Sequence, residues 1–264
     1  MNFNGHRIPF TKASACGNDF LIIDGSSAPS DLAAFTRKIC DRHNGVGADG
    51  VEWLFPADDA DIHARLLNAD GSEAEISGNG TRCVAAYLCA EKSMEKIAIR
   101  TGAGIKTCTL TAHSGSHYEF EIAMGRPQMG KELVVQTTLG EVRGASVSMG
   151  NPHFVTFVND FVSGWQKQAT EISLHKNFKQ GMNVELVKIA DEGNIEVRFI
   201  ERGAGETQSS GTGSSAAAVA SIAGHHAKSP LRVHTPGGLQ VIRWEEEVFL
   251  RGPAQIICEG EFFS

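Results

Sequence analysis

The chain has 264 residues, is 41% hydrophobic and 21% charged, and carries a formal net charge of −7 with a pI near 5.8. That acidic balance, with no Lys/Arg block, argues against a nucleic-acid surface, and no apolar run approaches the ~20 residues of a membrane span. The length accommodates two domains, each with its own core.

Taken in chain order, residues 1–6 lack the apolar stretch of a signal peptide, so cytoplasmic residence is the expectation. Residues 20–23 (Phe-Leu-Ile-Ile) form a short apolar run ended by Asp24-Gly25, which reads as a strand. Residues 31–40 read as a helix, with Ser30/Asp31 as an N-cap pair and Leu32, Phe35 and Ile39 on one side. After Gly78-Asn79-Gly80, residues 81–90 are apolar nearly all round, the mark of a buried helix. Strand patterns follow at 97–100, 106–110 and 118–122. Turn residues at Gly125-Arg126-Pro127 mark a boundary between domains at 1–124 and 125–252. Residues 253–264 are candidates to return and complete the first domain, a point the sequence leaves open. In the second half a strand is expected at 154–158, a weaker helix near Phe161, and strands at 195–200 and 239–244. The segment 214–223, almost wholly small residues after Gly211-Thr212-Gly213, reads as a second buried helix approached closely by surrounding backbone. The six cysteines (Cys16, Cys40, Cys83, Cys89, Cys108, Cys258) show no C-x-x-C pair and no zinc spacing, and buried structural thiols are expected for all of them.

The halves echo one another at a fixed offset. Asn18 and Asn151, each preceded by Gly, stand 133 positions apart (151 − 18), as do Ser77 and Ser210 (210 − 77) at the head of the two glycine loops. At the same offset Gly50-Val51-Glu52 matches Asn183-Val184-Glu185, and Asn68 matches Glu201. The copied pieces are Gly/Asn/Ser loops, and two such loops face to face would handle the two mirror-related faces of one carbon.

A glycine loop opening a helix leaves N–H groups unpaired at the positive end of the helix dipole, a seat for a carboxylate or phosphate. A single copy reads equally well as a tight turn. Two copies, through Gly78, Asn79, Gly211 and Thr212, would hold one carboxylate and stabilise negative charge on the adjacent carbon. Five repeat-matched asparagines (Asn18, Asn68, Asn79, Asn151, Asn183) favour recognition of polar groups, although each alone is an ordinary turn residue. Arg202 suits a carboxylate and Glu201 an ammonium, with a surface ion pair as the plain alternative. His153 is placed either to steer a proton or to cap its own turn.

With these residues assembled, the chain resembles the diaminopimelate epimerase family, cofactor-independent enzymes of lysine and peptidoglycan synthesis. The likeness runs from Lys12 to about Ile222. It rests on Gly17-Asn18-Asp19-Phe20, the run from Arg42 to Gly50, Asn68-Ala69-Asp70-Gly71, Gly150-Asn151-Pro152-His153, Asn183-Val184-Glu185 and Glu201-Arg202-Gly203-Ala204-Gly205-Glu206-Thr207. The resemblance implies an α/β (α+β) protein of two pseudo-symmetric domains, each a curved, mostly antiparallel sheet around a central helix, with a site in the cleft. It further implies two-base epimerisation of an amino acid, most directly L,L- and meso-diaminopimelate, with no cofactor or metal, a small-molecule partner only, and a homodimer. Ser77, Ser210, His153 and Glu201 then take the acid/base roles. Asn18, Asn68, Gly78, Asn79, Asn151, Asn183, Arg202, Gly211 and Thr212 hold substrate.

The family carries cysteine where Ser77 and Ser210 stand, and some members carry glutamine at Gly50. A thiol titrates near ~8.5 and is readily tuned towards neutrality, whereas a serine hydroxyl needs a neighbouring base. Four readings stay open: an epimerase working through serine, a related isomerase or dehydratase, an engineered Cys→Ser form, and a catalytically silent protein that binds an amino acid.

Overall fold

The computed structural model describes residues 7–263, so the signal-peptide reading of residues 1–6 lies outside it. The chain forms two units, one running up to Ile122 and resuming at Gly252, the other Ala123–Arg251. In the first unit the order is β1 (Arg7–Ala15), β2 (Asn18–Asp24), α1 (Leu32–Cys40), β3 (Gly50–Phe55), β4 (Ile62–Asn68), β5 (Glu73–Ala74), α2 (Gly78–Lys92), β6 (Lys96–Thr101), β7 (Gly104–Ser114) and β8 (His117–Gly125). The second has β9 (Gln128–Thr137), β10 (Gly140–Ser148), β11 (Pro152–Phe157), α3 (Trp165–Ser173), β12 (Asn183–Asp191), β13 (Asn194–Glu201), β14 (Gly205–Thr207), α4 (Gly211–Ala223), β15 (Leu231–Thr235), β16 (Gly238–Trp244) and β17 (Val248–Phe263), which runs on into the first unit. The fold is α+β, mostly strand, as the sequence indicates.

In the first unit β1 pairs with β2, β2 with β3, β3 with β4, β4 with β6, β6 with β7 and β7 with β8. β17 pairs with both β8 and β1 and so closes the ring. The β2–β3 and β4–β6 ladders are parallel. α2 is enclosed, with Cys83, Val84, Ala85 and Ala86 fully buried. α1 packs on the outer face, where Phe35 and Ile39 meet Leu21, Ile23, Val51 and Trp53. Because side chains alternate along a strand, Glu52, between Val51 and Trp53, points away from α1 and towards α2.

The second unit repeats the plan. Ala216–Ala220 of α4 pack among Val147, Val155, Val187, Ile195, Val197, Phe199, Leu231, Val233, Ile242 and Leu250, from β10 through β17. α3 lies outside with Trp165, Ala169 and Ile172 against Phe154, Val184 and Leu186. Glu185, between Val184 and Leu186, therefore points to the α4 side. The repeat offset survives in the ladders: Phe20 faces Gly50 as His153 faces Asn183, and Leu66 faces Ala74 as Phe199 faces Thr207.

Three details depart from the sequence reading. Both enclosed helices begin on the loop glycines instead of after them, since a serine cap lets glycine enter the first turn. α3 starts at Trp165, behind Gly164 at φ 87°. Cys258 is exposed, while the other five cysteines are buried, and none of the six is in a disulfide. Among the described residues no helix is long and apolar enough to cross a membrane, and no cluster of three or more His, Cys, Asp or Glu could hold a metal.

Candidate active site

Each unit carries a serine at the N-cap of its enclosed helix. Ser77 Oγ accepts from Gly80 N–H at 3.1 Å, and Ser210 Oγ accepts from Gly213 N–H at the same distance. Both serines have extended backbone, as a cap requires, and such a cap contributes about 1 kcal/mol. The first N–H groups of each helix have no partner within the helix and sit at its positive end.

Asn79 is buried at the first turn of α2 and donates through Nδ2 to Asn18 Oδ1 at 2.7 Å. Asn18 donates in turn to Asp49. Asp49 and Asp19 are bound by Arg42, and Lys12 pairs with Asp19 at 3.0 Å. Burial opposes ionisation of Asp19, but hydrogen bonds and charge from Arg42 and Lys12 prevail and hold its carboxyl below the usual range. The matching pair is also in contact in the second unit, with the direction reversed: Asn151 Nδ2 donates to Thr212 Oγ1 at 3.4 Å. Asn68 is exposed and turned to Ser72 Oγ at 3.0 Å.

Ser210 makes one contact that Ser77 lacks: its hydroxyl donates to Glu201 Oε2 at 3.0 Å. The other oxygen of Glu201 accepts from Thr207 at 2.7 Å. Asn183 receives the Arg202 backbone N–H on Oδ1 and donates to Pro152 O. The Arg202 side chain is exposed, with one guanidinium nitrogen on Gln180 O. The structure thus joins Ser77, Gly78, Asn79 and Asn18 in one unit, and Ser210, Glu201, Gly211, Thr212 and Asn151, with Asn183 and Arg202 alongside, in the other.

His153 is fully buried and both ring nitrogens are occupied. Nδ1 faces Glu185 Oε1 at 2.7 Å, and Nε2 donates to Asn151 Oδ1 at 2.9 Å. It neither caps its turn nor presents a nitrogen to Ser210; its contact with the loop residues is the hydrogen bond to Asn151. Burial pushes the Glu185 carboxyl up, with His153 opposing and the charge of Glu201 adding to the rise. Its Oε2 is buried without a hydrogen-bond partner among the described residues.

Three groups went unassigned in the sequence. Glu52 and Glu185 lie under Gly80 and Gly213, so close that a Cβ on either glycine would strike the carboxyl. Burial alone pushes Glu52 up to about 8. Each breaks an apolar strand, Val51-Glu52-Trp53 and Val184-Glu185-Leu186, which was the available signal. The third is Arg82, fully buried in the first turns of α2, whose side chain reaches Gly78 O, Asn79 Oδ1, Pro253 O and Cys16 Sγ.

The sequence model of the family described as "Diaminopimelate epimerase" matches residues 10–130 and 145–257. The diaminopimelate epimerase of Pelotomaculum thermopropionicum is 38% identical over 96% of this chain and 98% of its own. That of Methanococcus maripaludis is 34% identical over 96% and 98%. Among solved structures, a phenazine biosynthesis protein of the PhzF family from Bacillus anthracis superposes with a TM-score of 0.74 at 16% identity, covering 98% of this chain and 99% of that one. A hydroxyproline epimerase from Agrobacterium vitis, with trans-4-hydroxy-L-proline bound, gives 0.72 at 15% identity over 100% and 94%. At that identity the two structures share the fold.

Proposed function

The chain belongs to the diaminopimelate epimerase family, and on that premise we propose that it is an isomerase interconverting L,L- and meso-diaminopimelate in lysine biosynthesis. The observation that carries the reading is the pair of serine-capped glycine loops, one per unit, each opening an enclosed helix whose N-terminus suits a carboxylate. In one direction the α-C–H bond breaks and its proton passes to Ser210 Oγ while the Ser210 proton moves to Glu201 Oε2. The electron pair left on carbon is drawn into the neighbouring carboxylate, held by helix N–H groups. A new C–H bond forms with the proton of Ser77, whose oxygen keeps the Gly80 N–H. Exchange with water then resets Ser77 and Glu201. Asn18 and Asn151 line the site, and Asn68, Asn183 and Arg202 take the distal amino-acid group.

Solvent deuterium entering the α-carbon of L,L- or meso-diaminopimelate is the test; no exchange above background at high enzyme concentration sinks the reading. A second reading, a binder without turnover, draws on one observation: both serine oxygens serve as ordinary helix caps. Binding of diaminopimelate by calorimetry without any exchange would select it.

A further inference from the structure

The internal repeat supplies a control for the role of Arg82. At the matching place in the second unit stands Ser215, whose hydroxyl donates to Gly211 O at 2.8 Å. Arg82 Nη1 donates to Gly78 O, the matching carbonyl, at 3.1 Å. A hydroxyl therefore suffices to tie the first-turn carbonyl, and the guanidinium adds a charge that this task does not require. Arginine stays protonated in proteins, and burying a charge without a counter-charge is strongly unfavourable. Every side-chain partner found for Arg82 among the described residues is neutral: Gly78 O, Asn79 Oδ1, Pro253 O and Cys16 Sγ. Glu52, the buried carboxyl beneath Gly80, forms no hydrogen bond or ion pair with Arg82 among the described residues, and burial pushes its carboxyl up.

A second repeat-matched difference has the same sign. Glu201, beside Ser210, is replaced in the first unit by the neutral Asn68. One unit thus has a guanidinium and an amide where the other has a hydroxyl and a carboxylate.

We propose that Arg82 is a positioning residue that makes the Ser77 helix start a stronger seat for negative charge than the Ser210 one. It acts through Asn79 and the Gly78 carbonyl and lends its charge to an anion bound at that loop. The inference rests on the proposed function for the identity of that anion, an amino-acid carboxylate. It gives the two nearly repeated halves unequal duties: the first unit takes the larger share of the anion, and the second carries the proton acceptor.

The experiment uses a thiolate as the anionic probe and needs no turnover. Ser77→Cys and, separately, Ser210→Cys with Glu201→Gln are alkylated with iodoacetamide across pH, and each site is read by peptide mass spectrometry. With Glu201 neutralised, the thiol at 77 should still ionise about one pH unit below the thiol at 210. Arg82→Met should raise the first and leave the second unchanged, and Arg82→Lys should restore the low value. Equal ionisation of the two thiols in the Arg82-bearing chains, or an Arg82→Met shift common to both, overturns the proposal. Should Arg82→Met fail to fold, the comparison of positions 77 and 210 decides by itself. If the thiol order holds and deuterium exchange is absent, the epimerase reading falls and the role of Arg82 stands.

Discussion

Ser210 and Glu201 form a hydroxyl–carboxylate pair at 3.0 Å, and the matching positions of the first unit, Ser77 and Asn68, hold no carboxylate. A serine can take up a proton at neutral pH only if it has somewhere to pass its own. Glu201→Gln keeps the shape and removes that acceptor. Exchange at the α-carbon should fall by about 10²–10⁴-fold, with KM little changed. An effect within twofold in single-turnover measurements would show that Ser210 works without Glu201.

Cysteine at the two cap positions should raise activity at the expense of stability. Ser77→Cys with Ser210→Cys brings the acid/base groups nearer the working pH and should raise deuterium exchange by at least about tenfold. Sulfur is a poorer cap than oxygen, so each change should lower unfolding free energy by about 1 kcal/mol in urea titrations. A double variant that is both slower and less stable would mean that the site was shaped for serine chemistry.

Gly80 and Gly213 are small because a carboxyl occupies the space beside them. A Cβ at Gly213 would meet Glu185 Oε1 at 2.7 Å and the Phe199 ring at 2.9 Å, and one at Gly80 would strike Glu52 Oε1. Gly80→Ala should cost about 1–3 kcal/mol despite the better helix propensity of alanine. Combined with Glu52→Ala the losses should fall short of their sum, and strict additivity of the urea midpoints would refute the clash.

Glu52 also sets a slope in stability against pH. Its folded carboxyl is pushed up to about 8 by burial, from a reference of 4.5. Between those values the unfolded chain releases a proton that the folded chain keeps, so stability falls as pH rises. The contribution is complete below about pH 4.5 and lost above about pH 8. Glu52→Gln cannot ionise, and its stability curve should be flatter by about 3–5 kcal/mol across that window. Parallel curves for the two proteins in thermal melts would disprove the buried acid.

The parts of the molecule that were readable in the sequence are those with a local signature. Alternation at 195–200 and 239–244 became β13 and β16, and the segments apolar all round became the enclosed α2 and α4. The 133-residue echo located both capping serines and singled out Asn18, Asn79, Asn151 and Thr212, while the Asn18–Asn79 and Asn151–Thr212 contacts emerged only from the structure. What the sequence hid depends on distant partners. Arg82 lies in an apolar helix and is held by Pro253, 171 positions away, and by Cys16, 66 away. His153 looked available for proton transfer because nothing nearby in the chain announces Glu185, 32 residues on, as the partner of its Nδ1. The cap role of Ser77 and Ser210 was masked by a competing chemical explanation for the same two residues.

The closing strand of the first unit has a consequence for how the protein is made. Ala123–Arg251 is one uninterrupted stretch, so a ribosome delivers every partner the second unit needs in a single passage. The first unit must wait for the later half of β17, with the edges of β1 and β8 unpaired in the meantime. At about 5–20 residues per second, the wait for the intervening segment is on the order of ten seconds. The half translated earliest is thus completed after its neighbour, and its two open edges are the surfaces a nascent-chain chaperone would have to guard.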